Sequence, residues 1–356
     1  MTVELASLGW DASLAATYTG YATDTADQVP GRVARVDRGV CTVLTAAGTV
    51  RASLAGAVLS AAGGDPVGLP CTGDWVVVRT WPDGRVTAEA VLPRRTCVVR
   101  RTADRRSVGQ VLAANVDLVA AVEPVDPAPD QGRVERLLSL AWDSGAQPVV
   151  VLTKADLVPD RDAVVAQVAA GAPGVAVLAV SAERGEGLDR LRDEVRPGRT
   201  LALLGPSGAG KSTLVNALVG APAMATQRVR RADGKGRHTT TYRALVPLPG
   251  GGAVIDTPGL RAVGLLDGTD GLDRTFADVA ELVAACRFAD CAHGTEPGCA
   301  VRAALAAGDL APDRWESWRK LQRELASEAR RRDARLAAEE RARWKRIHRP
   351  RPGSRP

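Results

Sequence analysis

From Gly31 to about Arg101 the chain alternates short apolar runs with turn residues: "GRVARVDRGVCTVLTAAGTVRASL", "GDWVVVRT", "DGRVTAEAVLP" and "RTCVVRR". Runs of this length, broken by Gly and Asp-Gly, predict short strands. So many strands in so few residues predict a small barrel, with the OB-fold as its natural form. Residues 1–30 carry no comparable pattern and are expected to be irregular. After "RRTADRRSVGQVLAANVD" the character changes. "VDLVAAV", "QPVVVLTK", "GVAVLAVSA", "RTLALLG" and "AVIDTPG" are apolar runs ending in polar loops, and "VERLLSLAWDSG" has helical spacing. Continuous apolar strands alternating with amphipathic helices predict a mainly parallel sheet covered by helices. Ligands of such sheets bind at the carboxyl ends of strands. From about Leu266 the strand runs stop; Trp315, Trp318, Leu321 and Leu325 then recur at helical spacing, so that helix should pack on something. The expected divisions are an irregular segment 1–30, a barrel 31–101, an α/β unit 102–265, a helical unit 266–330 and a tail 331–356. No internal repeat is visible.

The chain has 356 residues, 45% hydrophobic and 25% charged, which leaves room for two or three soluble domains. Its start lacks a basic segment followed by a long apolar run, and no stretch reaches the roughly 18 uninterrupted apolar residues of a membrane span. A cytoplasmic protein is expected, with no membrane partner. Cys41, Cys71 and Cys97 stand singly, whereas Cys286, Cys291 and Cys299 cluster around His293. Reduced thiols plus one metal site fit this better than a disulfide framework. The formal charge is +6, but residues 313–356 alone hold 15 Lys/Arg against 7 Asp/Glu. A basic run confined to one segment points to a polyanion, nucleic acid ahead of membrane; a solvated helix with a disordered tail is the competing reading.

Gly205-Pro206-Ser207-Gly208-Ala209-Gly210-Lys211-Ser212-Thr213 follows the apolar run "TLALL" and precedes the helical "STLVNALVG". The pattern G-x-x-x-x-G-K-[ST] in this context predicts a phosphate-binding loop. Its backbone N–H groups would curl around the phosphates, Lys211 would reach the β and γ oxygens, and Ser212 would ligate Mg²⁺. Only five of the 47 basic residues are lysines, and two of them, Lys154 and Lys211, fall in nucleotide motifs. "DTPG", Asp256 to Gly259, follows the strand "GAVI". A strand-end Asp there holds Mg²⁺, and Gly259 would offer its N–H to a γ-phosphate. Between the two motifs lies "GKGRHTTTYR", in which one of Thr239, Thr240 and Thr241 would complete the metal shell; a flexible hairpin loop is the alternative.

"TKAD", Thr153-Lys154-Ala155-Asp156, ends the strand "VVVLT", and "VSAERGEG" contains Ser181-Ala182. A carboxylate at Asp156 can accept from both N1–H and the 2-amino group of guanine, whereas adenine has no N1 donor. Sites of this kind discriminate by roughly 10⁴-fold or more. Lys154 would lay its stem along the purine, and the backbone at Ser181-Ala182 would meet O6. These pieces resemble the five G motifs of the translation-factor-related GTPases, but in the order base, base, phosphate, switch I, switch II, a circular permutation. Permutation is physically possible because domain termini lie close together. It also sends switch II almost directly into the Cys/His region, so movement of Gly259 would pull on the C-terminal domain.

Cys286-x4-Cys291-x-His293-x5-Cys299 offers three thiolates and an imidazole, the donors Zn²⁺ prefers. Four protein ligands leave no open position, so one structural ion is expected. A short barrel, a permuted GTPase with "GPSGAGKST" and "DTPG", the loop "GRHTTT" and this Cys/His spacing resemble the bacterial ribosome small-subunit-dependent GTPase A family, the YjeQ type, over about residues 30–330. The resemblance implies an OB-fold barrel, a circularly permuted α/β P-loop GTPase domain and a C-terminal helical zinc-binding domain. It also implies GTP hydrolysis to GDP late in maturation of the small (30S) ribosomal subunit, stimulated by the subunit, with contacts to 16S rRNA, Mg²⁺ with the GTP and a monomeric protein. The family has Asn-Lys-x-Asp where this chain has Thr153, which is expected to weaken affinity while Asp156 keeps guanine selection. Where Ras-like proteins carry a water-positioning Gln, Leu260 stands here, and an aliphatic side chain cannot orient water. His238, beside Thr240, resembles the family's switch I histidine and is the candidate catalytic group. Trp75 and Trp81 offer rings for bases, with core packing the competing reading. An ATP-dependent P-loop enzyme and an RNA-binding factor with a vestigial nucleotide site are the remaining alternatives; Asp156 speaks against the first, and intact Lys211, Ser212 and Asp256 against the second.

Overall fold

The computed structural model describes residues 4–23, 27–101, 109–224, 242–259 and 269–332. The amino-terminal segment, expected to be irregular, forms a 3-10 turn and helix α1 (Ala12–Tyr21). Asp11 caps α1 by accepting from the Leu14 N–H, and its carboxylate is gripped by both terminal nitrogens of Arg95. Leu5, Leu8 and Leu14 are buried against the main core, so this segment is a strap with its own apolar anchors. Three buried leucines in too few residues to show a period left it illegible in sequence.

Strands β1 (Gln28–Asp37), β2 (Val40–Thr45), β3 (Gly48–Leu54), β4 (Trp75–Thr80) and β5 (Val86–Val91) close a barrel in the order β1-β2-β3-β5-β4. Helix α2 (Gly56–Ala62) lies in the connection from β3 to β4, and β3 pairs with β5 in parallel. This is the OB-fold. Val33, Cys41, Val43, Ala52, Val76, Val78 and Ala88 fill the interior. The run "RTCVVRR", assigned to the barrel on sequence, lies outside it. Its strand β6 (Cys97–Arg101) pairs with β7 (Gly109–Ala114) in a separate hairpin. A strand's sequence pattern carries its burial but not its neighbour.

The α/β unit comprises β8 (Leu118–Pro124), α3 (Gln131–Asp143), β9 (Gln147–Thr153), α4 (Arg161–Ala170), β10 (Ala176–Ala179), α5 (Leu188–Glu194), β11 (Thr200–Leu204), α6 (Lys211–Val219), β12 (Ala244–Pro247) and β13 (Ala253–Asp256). Its sheet has the order β10-β9-β8-β11-β13-β12, all parallel except β12. The barrel is pinned to this unit by Arg32, which is fully buried. Its guanidinium donates to the carbonyls of Leu8, Gly73 and Asn115 and lies over Trp75. Burial holds its pKa down to about 10.

Helices α7 (Thr269–Thr275), α8 (Ala277–Ala284), α9 (Ala300–Ala307) and α10 (Pro312–Arg332) complete the described chain. Trp315, Trp318 and Leu321 on α10 are buried, as their spacing predicts. This helical unit docks on α3. Arg314 donates to both oxygens of Asp278, to Glu135 of α3 and to the carbonyls of Gly171 and Thr275, while Arg136 pairs with Glu324. Among the described residues no helix is long and apolar enough to cross a membrane.

Candidate nucleotide and metal sites

Strand order resolves the reversed motif order. β11, which leads into the candidate phosphate loop, is flanked by β8 and β13, and β9 and β10, which carry the candidate base motifs, stand beyond β8. All five are parallel, so their carboxyl ends form one edge, and the loops meet there whichever strand the chain begins with.

At that edge Gly205 is held against β8: a Cβ on it would lie 2.2 Å from the Val122 carbonyl oxygen, so no side chain fits. Lys211 opens α6 and folds back, donating to the Gly205 and Pro206 carbonyls at 2.9 and 2.8 Å. Burial brings its ammonium down to about 8, although Asp256 and Glu123 favour the charged form. A cation held this way is primed for phosphate oxygens. Ser212 Oγ donates to Asp256 Oδ2 at 2.7 Å, which places the two Mg²⁺ candidates side by side. The Thr257 hydroxyl donates to the Leu203 carbonyl and fixes the turn after β13. Gly259 comes up against the phosphate loop, where an added Cβ would sit 2.6 Å from Ser207 Cα. Its closeness to that loop is what sensing of a γ-phosphate needs.

The residues expected to read the base are organised by the β9–β10 pair. The Ala155 N–H donates to the Val180 carbonyl, tying "TKAD" to "VSA". Lys154 takes a left-handed conformation, φ 59°, which turns the chain so that Asp156 faces Ser181. The Ser181 hydroxyl holds the Asp156 carboxyl below the usual carboxylate range and itself accepts from the Arg184 N–H. A carboxylate kept ionised suits an acceptor for two guanine donors. Ala182 sits next in the turn, half-buried.

Two contributions escaped the motifs. The Thr153 hydroxyl donates to the Ala209 carbonyl at 2.6 Å, so this residue braces the phosphate loop from the base side. Glu123, fully buried at the end of β8, is gripped through both oxygens by Arg133 of α3. A carboxylate closing the otherwise apolar run "LVAAVEP" was the signal that could have found it. His238, Thr239, Thr240, Thr241 and Leu260 lie outside the described residues, as does the tail beyond residue 332. Trp75 is buried against Trp10 and belongs to the core. Trp81 is half-buried between Arg79 and Arg85, whose guanidinium carbons lie 4.1 and 5.6 Å from its ring.

Cys286, Cys291, His293 and Cys299 bring their donor atoms within 4.8 Å of one another. Cys286 and Cys299 Sγ are 3.9 Å apart, and His293 Nδ1 lies 3.5 and 3.6 Å from them. Metal–sulfur bonds of about 2.3 Å at tetrahedral angles place sulfurs about 3.8 Å apart, so the cluster fits one tetrahedral ion. The His293 ring meets Trp315 edge to face at 5.3 Å, which couples the metal loop to α10.

A family model described as RsgA GTPase matches residues 91–266. A protein named small ribosomal subunit biogenesis GTPase RsgA from Streptomyces coelicolor is 54% identical over 345 residues, covering 96% of this chain and 92% of its own length. A protein of the same name from Opitutus terrae is 46% identical, covering 97% and 96%. Among solved structures, YjeQ from Thermotoga maritima matches with a TM-score of 0.60 at 26% identity, over 84% of this chain and 98% of that one. YloQ, described as a circularly permuted GTPase, matches in fold with a TM-score of 0.57 at 22% identity, over 86% and 98%.

Proposed function

The chain belongs to the RsgA GTPase family, and we propose that it hydrolyses GTP to GDP and phosphate as a monomeric cytoplasmic factor in late maturation of the small (30S) ribosomal subunit. The observation that carries this reading is the shared strand edge. It gathers the G-x-x-x-x-G-K-S loop, the Ser212–Asp256 pair and the Asp156 carboxylate at one place, which supports a guanine nucleotide site in a family whose curated members bear that name.

Residues 205–213 cradle the phosphates, with Lys211 on the β and γ oxygens. Ser212, Thr240 and Asp256 would hold Mg²⁺ with the nucleotide, and the ion would supply charge neutralisation on the phosphoryl group. Thr153 steadies the phosphate loop, Lys154 and Ala155 line the purine, Asp156 reads N1–H and the 2-amino group, and Ser181 and Ala182 meet O6. Gly259 senses the γ-phosphate. With Leu260 unable to orient water, intrinsic hydrolysis is slow, and His238 acts when the small subunit is bound.

The Cys/His cluster holds Zn²⁺ as a structural ion. The barrel, through Trp81 with Arg79 and Arg85, and the basic tail contact 16S rRNA; such binding falls steeply with salt. GTP hydrolysis by the purified protein, measured with and without small subunits and with large subunits and ATP as controls, tests the reading. Stimulation by the small subunit alone is expected. Turnover indifferent to it would remove the assigned partner.

A further inference from the structure

Between the barrel and the α/β unit runs a groove of about 640 Å³, lined among others by Arg35, Arg38, Gln110, Tyr242, Arg243 and Pro258. Arg243 is the unexplained group in it. The side chain is half-buried, its Nε is buried without an acceptor, and no carboxylate among the described residues pairs with it. Burying an unpaired cation is costly, and proteins accept that cost where a ligand supplies the counter-charge.

The neighbours do not supply it. Cys71 lines the same groove, but burial pushes its thiol up to about 12, so it stays neutral. Asp37 is already shared between Arg35, at 2.6 Å, and Arg51, at 3.7 Å. Arg100, bonded to Gln110, only adds like charge: burial first and Arg243 second lower its pKa. Arg35 stacks on Tyr242, with its guanidinium carbon 3.9 Å from the ring, and so walls the groove.

We propose that this groove is a phosphate-binding site, with Arg243 as its central cation and Arg35 and Arg38 beside it, taking a phosphate of an RNA backbone or of a free phosphate compound. A tetrahedral dianion or a phosphodiester suits the arrangement because guanidinium forks match paired phosphate oxygens. The site stands apart from the nucleotide loop yet touches Pro258 of "DTPG". Its chemistry does not rest on the ribosomal reading, and its failure would leave that reading untouched.

The test uses the full chain saturated with Mg²⁺ and GDP, so that the phosphate loop is already occupied. Wild type and Arg243→Met are compared by thermal melting with inorganic phosphate against chloride of equal ionic strength, and by anisotropy of a labelled oligouridylate. Without added anion, R243M should melt no lower than wild type, since it removes a charge that has no carboxylate partner among the described residues. Stabilisation of wild type but not R243M by inorganic phosphate would assign the site to free phosphate. Roughly tenfold weaker oligouridylate binding by R243M, with a salt slope lower by about 0.7, would assign it to RNA backbone. Arg243→Lys should retain part of either effect. Equal responses of wild type and R243M to both probes would overturn the proposal. So would a large loss of stability in R243M without anion, because it would reveal a partner for Arg243 within the chain.

Discussion

Replacing Arg314 by Met tests how the helices around the Cys/His cluster are held on the GTPase unit. Arg314 faces two carboxylates, and their exposures decide which matters. Asp278 is 41% exposed on its side chain, so water takes over when the arginine leaves, and that pair contributes at most about 1 kcal/mol. Glu135 is only 2% exposed and would be left as a buried carboxylate still bonded to Ser317 but without its cation. Losing one member of such a pair costs about 3–5 kcal/mol, because the other stays desolvated and uncompensated. Glu135→Leu should cost less than R314M, and the double variant should recover most of the loss, giving a coupling energy of about 2–3 kcal/mol. The assay is urea denaturation of all four proteins followed by tryptophan fluorescence, with Trp315 and Trp318 reporting from α10. Burial already pushes the Glu135 carboxyl upward in the wild type, and removing Arg314 raises it further. The R314M deficit should therefore shrink as pH falls and Glu135 takes a proton. A single-variant cost under about 1 kcal/mol, or an additive double variant, would refute the buried-pair account.

Lys211 makes a second pH prediction. Burial holds it down to about 8 from 10.5, and bound phosphates should raise it again, so GTP binding takes up a proton above pH 8. Affinity should fall by up to about tenfold per unit from pH 8 to 9 and stay flat below 8; a flat profile throughout would show an unperturbed lysine. In the nucleotide-free protein the sign reverses for stability: the unfolded chain binds the proton better between about 8 and 10.5, so Lys211 opposes folding less as pH rises. Gly259→Ala should lower GTP affinity at least about tenfold, since the new Cβ meets phosphate-loop backbone that cannot yield, as titration calorimetry would read. Thr153→Val should weaken both GTP and GDP binding by roughly fivefold to tenfold through loss of one hydrogen bond to Ala209, and Thr153→Asn should restore it if bracing is the role. Chelation of the metal should red-shift Trp315 emission, with recovery at one equivalent of Zn²⁺ per chain.

What the sequence determined by itself is local chemistry. The candidate phosphate loop, Asp256, Asp156 and the four Cys/His donors stand out in the sequence because each motif is short and its residue types are those a ligand of that chemistry needs. The barrel and the parallel sheet were readable because strand length and burial leave a periodic trace. Tertiary structure decided the rest, since pairing partners and domain contacts depend on residues far apart in the chain. It took "RTCVVRR" out of the barrel, because neighbour choice leaves no mark on a strand's own pattern. It turned the amino-terminal segment into a strap, because Leu5, Leu8 and Leu14 matter only beside the core they meet. It gave Thr153 a bond to Ala209, fifty-six positions away, and Glu135 a partner in Arg314. It also left the Arg243 Nε buried without an acceptor among the described residues, which a lone arginine after "TTTY" could not have foretold. The physical reason is the same in each case: burial and pairing belong to a location in space, and the sequence specifies that location only through the whole fold.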